Sequence, residues 1–428
     1  MKILKNILSI LLLFSFLTCI ALSNDDYDSL VLLKSITLEE NEEAILTKVT
    51  NVSTNSNSTE ILISDSEGKI LILYDARIGK VLKYFEAPFE LSDSLAIKGK
   101  YWNEQEEYVR NDKVIFANGK KLEDDYIRKR LRNELYFGIF VNDNEIWASA
   151  YAKSLVKPKG IDTLTEFHST LSTGIMRYDL KINKMIEYIC FEKIFEKKYY
   201  IFPWPYHFVV APTRDSIFII TINSSHFRNK GSDSLWIISS YNLKGEIIKP
   251  IMKMPEEYTQ TKLGYSILFK PKFCFNNKNE LLCVFPYAER VFNITNSTFF
   301  ELKNLKQSNK IFLDSLKENP NLVDSFLVRY FYFLPNSIEN VYVTKNNEVI
   351  VITFQVFKIS QNKTQVYWLI QEYDEQGNLN HQYKVTNLDE HGYIHYIFYD
   401  KNKDEFLFFK LLKGKGWFLD FYKGVSKK

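Results

Sequence analysis

The stretch that decides the fold is Ile61–Phe85, ILISDSEGKILILYDARIGKVLKYF. Short apolar runs are separated by two tight turns, Asp65–Gly68 and Asp75–Gly79. Runs this brief, rich in Ile, Leu, Tyr and Phe, read as strands, because an amphipathic helix needs about ten residues or more at a 3.6 period.

Working outward, two cassettes recur to the C-terminus. The first is an apolar stretch, a polar turn and another apolar stretch: FVNDNEIWASAYA from Phe140, VVAPTRDSIFIITI from Val209, CFNNKNELLCVF from Cys274, YVTKNNEVIVITF from Tyr342 and FYDKNKDEFLFFKL from Phe398. Asn, Asp and Lys tolerate the conformations that close such hairpins. The second ends an apolar run on an aromatic residue with Asp or Asn before its turn: ILILYDARIGKVL at Ile70, GIMRYDLKINKMI at Gly174, LWIISSYNLKGEII at Leu235 and YWLIQEYDEQGNL at Tyr367. VFNITNSTFFEL at Val291 is a weaker copy. Gly79, Asn183, Gly245 and Gly377 stand where these turns require a positive φ.

The cassettes alternate, giving four antiparallel strands per unit, the rhythm of a β-propeller blade. Inner-hairpin turns near residues 55, 143, 215, 278, 346 and 402 count six blades. A seventh, atypical blade through Tyr101–Gly119 is the alternative. The chain ends support closure. The last unit stops where its fourth strand should begin, while Ser29–Glu39 is an orphan strand ahead of the first. Pairing it beside Trp417–Phe421 leaves no open edge. Lys121–Leu135 and Ser308–Tyr332 do not fit the blades and read as small helical insertions, the second broken at Pro320. The expectation is all-β: one six-bladed propeller domain over residues 24–428.

Residues 1–23 read as a signal peptide, with Lys2 and Lys5 before an apolar Ile7–Leu17 and cleavage near Ser23. This predicts a secreted or periplasmic protein, the alternative being a lipid anchor at Cys19. The mature chain lacks an apolar run of the ~20 residues needed to span a bilayer. Net charge is +3, or +1 without Lys2 and Lys5, so no basic field points to nucleic acid.

The sequence ILISDSEGKILILYDARIGKVLKYF resembles the six-bladed TolB-like and NHL-like propellers, most of all their secreted Bacteroidota versions. Asp65, Gly68, Tyr74, Asp75 and Gly79 carry the resemblance, as do Tyr373, Asp374 and Gly377. It implies a central channel and mostly binding roles, and it supplies no catalytic residues.

No Gly-rich phosphate loop, Gly-x-Ser-x-Gly elbow or His-Glu-x-x-His motif is present, so no cofactor or metal is indicated. His391 and His395 in HGYIH lack the further ligands that a metal needs, and His207 has the same structural reading. Three aromatic stretches, Tyr199–Phe208, Phe285–Arg290 and Arg329–Pro335, are expected as loops on one face. Their Trp204, Tyr206, Tyr287, Arg290, Tyr330 and Tyr332 are the candidate platform for a glycan, peptide or envelope protein; the competing reading is that they plug the space between blade tops. Cys274 and Cys283 flank one hairpin turn and could lie opposite as a disulfide, or stay buried thiols. The leading expectation is a non-enzymatic binding or scaffolding protein. The alternative is a metal-dependent hydrolase or lyase at the channel mouth, which requires convergent carboxylate, Asn or His side chains there.

Overall fold

The computed structural model describes residues 27–41, 45–87, 106–109, 116–117, 120–121, 133–158, 168–191, 194–196, 199–223, 236–256, 271–303, 305, 337–360, 363–389 and 392–426. Six antiparallel sheets form six blades: residues 49–85, 134–190, 199–253, 272–301, 337–386 and 392–425. Each has a core of four consecutive strands, except that the fourth strand of blade 6 is the N-terminal Ser29–Thr37; short strands Ile194–Glu196 and Leu388–Asp389 pair with the first strands of blades 3 and 6. That strand pairs antiparallel with Gly416–Val425, from Ser29 opposite Val425 to Thr37 opposite Phe418. The six inner hairpins fall at the expected turns. The positive φ values at Gly79, Asn183, Gly245 and Gly377 are present as well.

First strands of neighbouring blades touch around the ring, from blade 6 to 1, 1 to 2, 2 to 3, 3 to 4 and 4 to 5. Between blades 5 and 6 the link is Asn340, whose amide donates to the Ile397 carbonyl at 3.5 Å. The same device joins blades 1 and 2, where Asn51 Nδ2 reaches Gly138 O at 2.9 Å. These first strands enclose the central channel, and the fourth strands form the exposed rim.

Stability resides between blades. Six apolar clusters occupy the six interfaces, one for each adjacent pair. Middle strands are therefore covered on both faces, and all six residues of Ile70–Asp75 are buried. That explains why ILIL runs on without the polar alternation of a half-exposed strand. His207 is buried between Phe137 of blade 2 and Phe273 of blade 4, and its Nε2 accepts the Phe273 N–H at 3.1 Å. Burial holds this imidazole well below the usual histidine range, so it is a neutral latch.

The outer turns pack against preceding blades. At Gly245, with φ 82°, a Cβ would lie 1.8 Å from the Cys190 carbonyl oxygen. Both the left-handed backbone and the contact exclude a side chain. Gly245→Ala should therefore cost about 3 kcal/mol or more. Urea denaturation measures this, and a wild-type midpoint would mean that the turn does not abut Cys190.

Two expectations are corrected. The described elements contain no helix, so the helical insertions are not supported. Lys121 belongs to the short strand Lys120–Lys121, and Leu135 lies in Glu134–Asn142, fully buried between blades 1 and 2. At Leu135, burial against a neighbouring sheet overrides the helix-like spacing. Residues 122–132 and the Ser308–Tyr332 segment fall outside the described residues, as does the leader 1–23. Among the described residues no seventh blade forms. Glu106–Val109 instead adds to blade 2 by pairing with Leu155–Pro158.

Candidate functional site: the central channel

The turns between first and second strands ring one face of the propeller. Side chains tie them together: Ser56 to Asp143 between blades 1 and 2, Arg214 to Val141 O between 3 and 2, and Asn277 to Asn347 between 4 and 5. Lys345 reaches Asn402 O, and Asn402 reaches Asn55 O, linking blades 5, 6 and 1. Lys401 of blade 6 donates to Asn277 of blade 4, a tie that runs past the blade 5 turn on this face. Asn, Asp and Lys in these hairpins thus serve inter-blade contacts as well as turn closure.

The opposite ends of the first strands carry ionisable groups. Lys48 immediately precedes blade 1, Glu134 begins blade 2, Lys272 begins blade 4, Glu339 is third in blade 5, and His395 lies early in blade 6. Glu134 is neutralised by Lys69 and also accepts from the Tyr136 hydroxyl. His395 packs against Trp417 and Tyr393, and burial lowers its pKa.

Lys272 and Glu339 behave differently. They come from first strands of adjacent blades, both half-buried, and each is within electrostatic reach of the other. No ion pair joins them. Glu339 takes a hydrogen bond from the Ser337 hydroxyl, and Lys272 has no hydrogen-bond partner among the described residues. Both retain some accessible surface. Burial lowers the Lys272 ammonium pKa, with Glu339 opposing. It raises the Glu339 carboxyl, with Ser337, Lys272 and Lys48 opposing. Both charges are therefore incompletely compensated.

Two polar clefts open between blades elsewhere. One of about 270 Å³ lies between blades 4 and 5, where Glu280 accepts from the amides of Asn276, Asn293 and Asn296 at 2.7–2.9 Å. That network holds the Glu280 carboxyl below its ordinary value, the Asn276 bond contributing most. The other, about 380 Å³, lies between blades 5 and 6. There burial pushes Glu372 up to about 7. These carboxylates are already committed to bonds within their own blades, Glu280 to the three asparagines and Glu372 to Tyr383, unlike Lys272.

Of the six platform candidates, Tyr287 and Arg290 have described side chains, and these two lie in different surroundings. Tyr287 is 6% exposed and belongs to the apolar cluster between blades 3 and 4, so it plugs that interface. Arg290 stacks on Phe299 at 4.6 Å and lies 3.8 Å from Glu301 on the outer strand. Tyr199–Phe208, expected as a loop, lies within the strand Tyr199–Val210; Ile201 to Trp204 pair with Asn223 to Ile220. A register break between Trp204 and Phe208 accommodates Pro205, which has no N–H to donate. The side chains of Trp204 and Tyr206, and all of Tyr330 and Tyr332, lie outside the described residues.

Cys274 and Cys283 are free thiols. Five residues, Asn276–Glu280, close their hairpin with Asn279 at φ 61°, so Cys274 stands opposite Leu282 and Cys283 opposite Phe273. One residue of register sends the thiols to opposite sheet faces, Cys283 toward blade 3 and Cys274 toward blade 5. Burial pushes Cys274 up to about 12 and Cys283 well above its ordinary value. Both should alkylate on unfolding without reductant. Recovery of a Cys274–Cys283 cross-linked peptide would contradict this register.

Lys272 and Glu339 were not candidates from the sequence. The available signal was a charged residue opening an inner-strand cassette, as in KFCF and SIENVY. Lys and Glu are so common at strand ends that solvation is the ordinary reading.

No family model matches the chain, and no curated protein matches it either. Among solved structures it is similar to a member of the DUF4221 family from Bacteroides vulgatus, with TM-score 0.50, 9% identity, and coverage of 94% of this chain and 100% of that one. It is likewise similar to a Bacteroides fragilis protein named as exported, with TM-score 0.51, 12% identity, and coverage of 94% and 98%. At these identities the likeness concerns the fold: a six-bladed propeller related to distant Bacteroidota proteins. It does not single out the TolB-like or NHL-like kind. Among the described residues no group of three or more His, Cys, Asp or Glu could hold a metal ion, so nothing there supports the metal-dependent hydrolase alternative. No described helix is long and apolar enough to cross a membrane.

Proposed function

We propose that this chain is a non-enzymatic binding propeller, exported through its leader, that takes a small polar ligand into the channel. The ligand enters from the face opposite the Lys401–Asn277 tie. The observation that carries this reading is Lys272 and Glu339: opposite charges on adjacent first strands, both desolvated and unpaired with each other. A structural ion pair would have closed, because leaving charges apart in a low-dielectric site costs stability. A ligand that completes them recovers that cost, which is how binding sites come to hold perturbed groups.

The test needs no knowledge of the ligand. Lys272→Met removes a desolvated charge and keeps the stem, so stability should stay level or rise by about 1 kcal/mol. Urea denaturation measures it. A loss larger than about 1 kcal/mol would make Lys272 a structural residue and remove the reason for placing a site in the channel.

A further inference from the structure

The cleft of about 380 Å³ between blades 5 and 6 has the size of a small-molecule site and is walled by both blades. Glu372 stands opposite Ile350, so Glu348, two residues earlier, shares the sheet face that meets blade 6. Across the cleft blade 6 presents Asp404 from its inner turn. Tyr383, Tyr399 and Phe406 line the same space and are buried, the Phe406 ring lying 5.9 Å from Tyr383 and 5.3 Å from Tyr399. Gly424 makes room for this floor, since a Cβ there would lie 2.4 Å from the Tyr383 hydroxyl.

The three carboxylates are hydrogen-bonded but not neutralised. Tyr399 donates to Asp404 at 2.7 Å, Asn380 donates to Glu348 at 3.1 Å, and Tyr383 bonds Glu372. All three donors are neutral, and no ion pair among the described residues involves Glu348, Glu372 or Asp404. Lys345 is the only lysine or arginine in the lining, and its Nζ is turned to the Asn402 carbonyl at 2.8 Å. His381 is held by Asp28 at 3.0 Å. Carboxylates above an aromatic floor select a cation. They do not converge as metal ligands must, since no described group of three acids, histidines or cysteines could hold one ion. Separated acceptors with apolar surface between them match positive centres joined by a hydrocarbon chain. We infer that this cleft binds a linear aliphatic polyamine, its ammonium groups on Glu348, Glu372 and Asp404 and its methylenes against Tyr383, Tyr399 and Phe406. The site is separate from the channel and does not depend on the reading given for it.

The experiment is calorimetric titration of the full mature chain with putrescine, spermidine and spermine. Monoacetylputrescine, a neutral diol of putrescine's length and Ca²⁺ complete the panel. Affinity should rise with the number of ammonium groups and fall with salt, and acetylating one end of putrescine should weaken it about tenfold. Glu348→Gln and Glu372→Gln should each weaken spermidine about tenfold, as should Asp404→Asn, which keeps a residue suited to the φ of 59° there. Lys345→Met should tighten binding about threefold by removing the competing ammonium. Affinity should also climb between about pH 6 and pH 8, because Glu372, pushed up to about 7 by burial with Glu348 and Asp404 adding to the rise, ionises in that range. Glu372→Gln should flatten most of that climb, leaving the part due to His381. No binding of any polyamine at millimolar concentration, or equal binding of diol and diamine, overturns the inference. Spermidine binding that survives Glu348→Gln and Glu372→Gln unchanged places the amine elsewhere and overturns it too. Ca²⁺ that binds stoichiometrically and displaces spermidine would make the cleft a metal site, with the same consequence.

Discussion

A mature chain that starts at Leu38 should fail to unfold cooperatively, because it lacks the strand that closes the ring. Eight residues of Ser29–Thr37 pair with Gly416–Val425 around a register shift between Leu32 and Lys34, and Leu30 and Ile36 pack against the clusters flanking blade 6. At about 0.5–1 kcal/mol net for each backbone hydrogen bond, the ladder alone is worth roughly 4–8 kcal/mol. Whole domains have only about 5–15 kcal/mol to lose. Truncation also bares the Gly416–Val425 edge, a template for aggregation. Circular dichroism and calorimetry would register the loss of a sharp transition. A synthetic peptide of residues 27–41 added in trans should restore part of it. A truncated protein with a wild-type melting curve would show that blades 6 and 1 hold together without the strand.

Asp420→Ala should cost about 3–5 kcal/mol, the usual penalty for stranding one member of a buried ion pair. Lys410 Nζ lies 2.8 Å from Asp420 Oδ2, with side chains only 2% and 8% exposed. The Tyr422 hydroxyl is 3.1 Å from the same ammonium, and the Ser35 hydroxyl donates to Asp420. Replacing both partners, as Lys410→Met with Asp420→Leu, should recover most of the loss, since no charge is then left uncompensated. The pair also has a pH signature. Burial would lower the Lys410 pKa, but the Asp420 and Tyr422 hydrogen bonds and charges outweigh it and raise the pKa above its ordinary value. The stabilisation is therefore complete below about pH 10.4, the amine's unfolded value, and is lost as pH climbs through the raised folded value. Guanidinium titrations at neutral and strongly alkaline pH measure it. Equal stability of Asp420→Ala and the wild type at neutral pH would rule out a structural ion pair.

Much of the architecture was legible in local sequence. The six inner hairpins, the turn residues with positive φ and the closing strand depend on short-range backbone chemistry that Asn, Asp and Gly announce. Middle strands read clearly because burial on both faces makes ILIL continuous. The helix-like leucines of Lys121–Leu135 misled because Leu135 is spaced for a helix and buried by a neighbouring sheet. The Tyr199–Phe208 stretch misled in the other direction, since the strand count placed an inter-blade loop where a register break keeps the chain in a strand.

The site was less legible than the fold. Of the platform candidates whose side chains are described, Tyr287 is an interface plug and Arg290 stacks on the outer strand. Nothing local distinguishes Lys272 from other lysines at strand ends, and its significance arises only when blade 5 places Glu339 nearby.

From sequence alone came the unit, its repetition and the pairing of the chain ends, because each rests on hydrogen bonding and turn sterics within a few residues. Tertiary structure alone decided which side chains share an interface. One residue of hairpin register separated Cys274 from Cys283, and the ring set Lys272 and Glu339 on the first strands of adjacent blades. Packing between blades is a long-range relation, and a strand carries no local record of the neighbour it will meet.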